Sequence, residues 1–131
     1  MEDLAFNATY KSKTGIVEIG LNLFQFKEDG IQFIYSPDLD LTGYGKTIRE
    51  ARRSFEESLA EFITYTIRKK TLDKELKKHG WTLIRPRRQR PKSYSPPDLA
   101  SLLRDNEYLT DIFNNKDFSR TRESFNVPAN A

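Results

Sequence analysis

From residue 16 to residue 26 the chain reads IVEIGLNLFQF, and its apolar positions alternate. Val17, Ile19, Leu21 and Leu23, continued by Gln25, fall on one face, with Glu18, Gly20, Asn22, Phe24 and Phe26 on the other. A period of two marks a strand with one predominantly apolar face turned to a core. Lys27-Glu28-Asp29-Gly30 follows, and Gly30 takes at little cost the positive φ that closes a hairpin, so residues 31–35 (IQFIY) are expected to return beside the first strand. Pro37 has no N–H to give to a ladder, which predicts a break in pairing near Ser36-Pro37 and a third short strand over residues 40–44. At Thr47 the period changes: Ile48, Ala51, Phe55, Leu59, Phe62, Ile63 and Ile67 recur at spacings of three and four. Thr47 with Glu50 is a capping box, and the pattern predicts a helix to about Arg68, roughly 30 Å long. Leu72 and Leu76, with Gly80 as a left-handed stop, add one or two turns over residues 72–79, and residues 81–84 (WTLI) read as a fourth strand.

Beyond residue 85 the chain changes character. The stretch PRRQRPKSYSPPDL holds Pro86, Pro91, Pro96 and Pro97 among basic residues and serines, the composition of an extended linker. The expected organisation is an α+β domain over residues 1–85, a Pro/Arg-rich linker over 86–97, and a short helical C-terminal segment with a tail over 98–131. In that last part Leu99, Leu102 and Leu103 share one side of a short helix, and Tyr108, Leu109, Ile112 and Phe113 belong to a second that ends at Asn114-Asn115. Residues 118–131 show no strong period. So few apolar anchors cannot build a separate core, so the segment should dock, through Leu102, Leu109, Ile112 and Phe113, on the first domain or on a second subunit. The fold class expected is α+β: an antiparallel three-stranded meander, a long docked helix and a fourth strand, followed by a short helical C-terminal appendage.

Composition agrees with one core. The chain has 131 residues, 37% of them hydrophobic and 31% charged, and nine Phe with six Tyr argue against disorder of the whole. The absence of Cys excludes a disulfide framework, thiolate catalysis and Cys-based metal sites. No window approaches the roughly 18 apolar residues of a membrane span, and the N-terminus lacks the pattern of a signal peptide, so a cytoplasmic protein without membrane contact is expected. Net charge is only +3, but residues 66–92 carry 11 Lys and Arg against two acids. Such a cluster attracts phosphate backbones or an acidic partner, and it serves equally as a solvated helix face and linker.

Four patterns could carry chemistry. Gly45-Lys46-Thr47 before a helix resembles the end of a phosphate-binding loop, but the glycine required five residues earlier is replaced by Asp40, so Gly43 and Gly45 read as turn residues and Thr47 as a cap. Asp38 and Asp40, two apart, would share a face in an extended segment and could hold a cation if Glu56 or Glu57 converged on them. His79, the only histidine, sits at a helix C-terminus, where an imidazolium meets the dipole favourably. Arg85, Arg87, Arg88, Arg90 and Lys92, near Trp81 and Tyr94, are candidate nucleic-acid contacts. None of these supplies a nucleophile with its base, and the reading is of a chain that is not an enzyme, with no catalytic residues, no cofactor and no metal.

The segment joining these elements resembles the HicB antitoxin family. The resemblance rests on Phe26-Lys27-Glu28-Asp29-Gly30, on Tyr35-Ser36-Pro37-Asp38-Leu39-Asp40-Leu41, on Gly43-Tyr44-Gly45-Lys46-Thr47, and on Glu50-Ala51 and Phe55, and it covers roughly residues 16–85. It makes Gly30, Pro37, Asp38, Asp40, Gly43, Gly45, Thr47 and Glu50 the signature of the fold. It implies a partial RNase H-like β-β-β-α-β module without catalytic power, which forms dimers or higher oligomers and covers a small RNA-cleaving toxin called HicA. Residues 93–131 depart from the DNA-binding segments that family members append. The alternative from another class is a nucleic-acid-binding regulator using the basic stretch over residues 68–92.

Overall fold

In the computed structural model, residues 8–11, 16–84 and 93–128 are described. In chain order they form strands β1 (Ala8–Lys11), β2 (Ile16–Glu28), β3 (Ile31–Ser36) and β4 (Leu41–Gly45), helices α1 (Ile48–Arg68) and α2 (Leu72–Lys78), and strands β5 (Thr82–Ile84) and β6 (Ser93–Ser95). Helices α3 (Leu99–Asp105) and α4 (Glu107–Asn115) and strand β7 (Phe118–Pro128) complete the chain. The fold is α+β, with antiparallel pairing throughout and the long helix following the meander of β2, β3 and β4.

The β2–β3 turn shows how local chemistry sets register. Glu28 pairs with Ile31, which leaves Asp29 (φ 53) and Gly30 (φ 80) as the two loop residues, both left-handed. Positive φ at both positions is the type I′ geometry whose twist matches the flanking strands, and Asp-Gly is a preferred pair for it. α1 begins as its cap predicts: the Thr47 side chain accepts a hydrogen bond from the Glu50 N–H at 3.1 Å. The Glu50 carboxylate returns one residue beyond the cap, to the Lys46 N–H at 2.9 Å. α1 buries Ala51, Phe55, Leu59 and Ile63. Ile48, which the spacing assigns to the same face, is 50% exposed, because the first turn of α1 lies where the sheet ends at β4. α2 stops at Gly80 (φ 93), where the Gly80 N–H donates to Lys77 O and the Trp81 N–H to Leu76 O, a Schellman closure with Trp81 packed in the same core as Leu76.

The sheet runs β4-β3-β2-β1-β6-β5, with β7 joined to β2. β2 is the long element. Its residues 24–28 pair with β3, its residues 16–18 pair with β1, and β7 pairs with it from Ile16 to Phe26. Since β7 faces both stretches, β1 and β3 share the opposite edge of β2, and among the described residues no strand pairs with residues 19–23 on that edge. That interval positions the site described below.

Both faces of the sheet are covered. Against α1 and α2 lie Val17, Ile19, Leu21, Leu23, Ile34 and Val127, with Leu39, Trp81 and Tyr94 in the same core. Against α3 and α4 lie Phe24, Phe26 and Tyr35, which meet the buried Leu109 and Ile112 and the partly buried Leu102, Phe113 and Phe118. Phe24, Phe113 and Phe118 form a three-ring contact with centroids 4.9 to 5.6 Å apart. The alternation in β2 indicates one apolar face; the other becomes a second core because Phe24 and Phe26 receive the C-terminal helices. Within the expected tail, residues 118–128 form the strand with the longest ladder in the sheet. No period reveals it, because most of its side chains are polar and exposed and only Val127 is fully buried; its backbone bonds to β2 hold it.

Candidate functional site

The turn over residues 37–40 enters the gap between β1 and β3. Asp38 is fully buried, and its Oδ2 accepts the Asn22 backbone N–H at 2.9 Å, the bond that a neighbouring strand would otherwise have made. The Asn22 side-chain amide donates to the same carboxylate at 3.3 Å, and the Asp38 carbonyl accepts from the Trp81 indole N–H at 2.9 Å. Burial pushes the Asp38 carboxyl up to about 6, an effect that the Asn22 hydrogen bonds and then Arg122 and Arg120 partly oppose. Among the described residues the buried Asn22 Oδ1 has no hydrogen-bond partner, and neither has the buried Ser36 Oγ. An orphaned buried acceptor costs about 1–3 kcal/mol.

Asp40 turns the other way. Its backbone is left-handed (φ 56), and its carboxylate accepts the Tyr35 hydroxyl at 2.8 Å. That hydroxyl accepts from the Asn106 side-chain amide at 2.8 Å, and the Asn106 Oδ1 caps α4 by accepting the Leu109 N–H at 3.0 Å. Burial, followed by hydrogen-bonding to Asp40, raises the Tyr35 phenol well above its ordinary value, although the Asn106 bond acts against the shift. A polar chain thus ties the turn to the C-terminal helices. The shared face proposed for Asp38 and Asp40 does not form, because the segment is a turn rather than a strand and the two carboxylates diverge. Glu56 and Glu57 pair instead with Arg52 at 3.2 Å and Arg53 at 3.8 Å along α1. Among the described residues no group of three or more acids and histidines could hold a metal ion.

The other signature residues hold α1 to the sheet. A Cβ on Gly43 would overlap the backbone of Phe55 and Ala51, and one on Gly45 would overlap the Glu50 side chain, so β4 and α1 touch backbone to backbone. The Tyr44 N–H donates to the Ser54 hydroxyl at 3.2 Å. Pro37 is buried at the head of the turn. His79 caps α2 and sets its ring edge against Phe62, 6.5 Å between centroids. Arg85, Arg87, Arg88, Arg90 and Lys92 lie outside the described residues.

Two clefts flank the turn. One of about 470 Å³ is bordered by Pro37, Asp40, His79, Leu102, Asn106 and Tyr108. The other, about 330 Å³, lies between β7 and the β6–α3 connection and is lined by Asn22, Ser95, Pro97, Asp98, Arg120 and Arg122. Sequence reasoning passed over Asn22, Arg120 and Arg122. The signal was an Arg-Thr-Arg spacing that puts both guanidinium groups on one face once the segment is a strand. At the outer edge of the sheet, Tyr44 is 64% exposed on β4 beside the half-exposed Ile48. Among the described residues no helix is long and apolar enough to cross a membrane. Comparison with protein-family models, with curated proteins and with solved structures finds no match to this chain.

Proposed function

We propose that this chain is a non-catalytic, antitoxin-like binding protein that works in the cytoplasm as a dimer or larger assembly and neutralises a small RNA-cleaving, HicA-like toxin by covering it. The observation that carries the reading is the apolar pair Tyr44 and Ile48, exposed on the outermost strand and the adjoining helix start. They border a segment in which Ser36 and Asp38 are buried. Asp38 and Asp40, the carboxylates best placed for nuclease chemistry, are occupied by Asn22 and Tyr35. An edge strand with an exposed aromatic suits strand addition or occlusion by a partner. Co-expression with the product of an adjacent small open reading frame tests it: the expected result is a stable complex and restored growth, both weakened by Tyr44→Ala and Ile48→Asp. Absence of both complex and rescue ends the antitoxin reading.

A nucleic-acid-binding regulator is the second reading, favoured by the solvent exposure of Arg68, Lys69, Lys70, Lys74, Lys77 and Lys78 along the end of α1 and α2. It predicts binding that weakens steeply with salt and weakens again when Arg85, Arg87 and Arg88 become Ala. Affinity indifferent to salt removes it.

A further inference from the structure

The cleft beside β7 presents a set of groups that neither reading uses. In the β2–β7 ladder Arg122 stands opposite Asn22, and Arg120 stands opposite Phe24. Residues two apart on a strand point to one face about 7 Å apart, and both arginines line the cleft. The helical layer ends at this row: Phe24 is sealed beneath Phe113 and Phe118, whereas Asn22 forms part of the cleft wall. The chain from Ser95 to Leu99 lines the same cleft. Asp98 is there too; its carboxylate caps α3 by accepting the Ser101 N–H at 2.8 Å, and that bond holds it ionised, so the two arginines must outweigh its charge.

Two guanidinium forks on one wall suit an anion with several acceptor oxygens. A phosphomonoester meets this, since its terminal oxygens accept from both arginines. A cleft of about 330 Å³ is larger than a bare phosphate needs and lies at the small end of ligand pockets. We propose that the cleft between β7 and the β6–α3 connection binds the phosphate of a phosphomonoester of about nucleoside-monophosphate size, with Arg120 and Arg122 holding the anion. This site is independent of the antitoxin reading and survives its failure.

The probes are inorganic phosphate, adenosine 5′-monophosphate and adenosine, titrated into the full chain at constant ionic strength and followed by calorimetry and amide shifts. Saturable binding of the two phosphates but not of adenosine is expected, with shifts centred on β7 and residues 95–99. Arg120→Ala and Arg122→Ala should each weaken it about tenfold, the effect of losing one charge-assisted contact. Arg120 is solvent-exposed, so its variant keeps the test open if Arg122→Ala impairs folding. Matched oligoribonucleotides with 5′-phosphate or 5′-hydroxyl ends separate the sources. A 5′-phosphorylated strand that binds more tightly than the mononucleotide assigns the site to strand ends, and equal affinity assigns it to the free nucleotide. Absence of saturable binding, equal binding of adenosine, or affinity unchanged in Arg120→Ala would overturn the proposal.

Discussion

Replacing Asp38 by Asn changes one charge and almost no volume, and the structure fixes what should follow. Asp38 is fully buried, and its carboxyl pKa is pushed from 3.8 up to about 6, chiefly by burial. An acid whose folded pKa is raised binds more protons folded than unfolded between those two values. Its contribution to stability therefore falls as pH rises from 3.8 to about 6 and is constant outside that window. Roughly two units at about 1.4 kcal/mol each give about 3 kcal/mol lost across it. The introduced asparagine would keep an oxygen for the Asn22 N–H, and after rotation of the Asn22 amide its own NH₂ could donate to the Asn22 Oδ1, which has no partner. The variant should match the wild type in stability below the window and exceed it by up to about 3 kcal/mol at neutral pH. Urea unfolding of both proteins across the range measures the difference and cancels every other titration. A difference that does not change with pH, or one that turns against the variant as pH rises, would refute the reasoning. The latter result would mean that Arg120 and Arg122 stabilise the carboxylate more than burial penalises it.

Other perturbations separate the remaining contacts. Gly43→Ala places a methyl group against the backbone of Phe55 and Ala51, so α1 must lift from β4, and thermal melts should show a loss of about 2 kcal/mol or more; an unchanged melting temperature would mean that the helix is not seated there. Ile112→Ala empties a fully buried position and should cost about 2–5 kcal/mol in one cooperative transition. A separate early transition would instead show that α3 and α4 unfold apart from the sheet. Tyr35→Phe removes the hydroxyl between Asp40 and Asn106 and should cost about 1–3 kcal/mol by urea unfolding. The two-pronged pairing of Arg52 with Glu123 joins α1 to β7 at a partly exposed position, so a double-mutant cycle should give at most about 1 kcal/mol, fading with salt. Glu123 is held below its usual range by Arg52, so that increment is lost as pH falls through the folded pKa.

What could be read from the chain was what neighbouring residues decide among themselves. The alternation of Val17, Ile19, Leu21 and Leu23, the Asp29-Gly30 turn, the Thr47 cap and the spacing of Ala51, Phe55, Leu59 and Ile63 are all local, and each has its expected counterpart in the fold. β1, β6 and β7 are not local. Residues 93–95 stand among prolines, and β7 offers Phe125 and Val127 to the α1 side but Arg120, Arg122, Ser124 and Asn126 to the other. Such strands exist because a backbone ladder reaches across the chain, and side-chain pattern does not report that. The site suffered in the same way: Asp38 and Asp40 were visible as a pair, but which way each points depends on partners at Asn22, Tyr35 and Asn106, most of them distant in sequence.

The geometry of β2 explains why the turn has an acceptor oxygen in it. Among the described residues β1 and β3 together pair only with the ends of one edge, and between them the Asn22 N–H takes its acceptor from the turn. A neutral oxygen would serve the Asn22 N–H without lowering stability at neutral pH. The chain has a charge there instead, leaves the Asn22 Oδ1 without a partner, and sets Arg120 and Arg122 beside them across the ladder. The buried charge and the orphan oxygen oppose stability, and the two arginines offset the first only in part. Asn22, Arg120 and Arg122 line one cleft, with Asp38 bonded behind Asn22, and sequences depart from the most stable choice where a surface has something to bind. Asp38→Asn therefore tests more than stability: if the carboxylate is kept for the cleft, the variant should be the more stable protein at neutral pH and should also bind phosphate with a different dependence on pH.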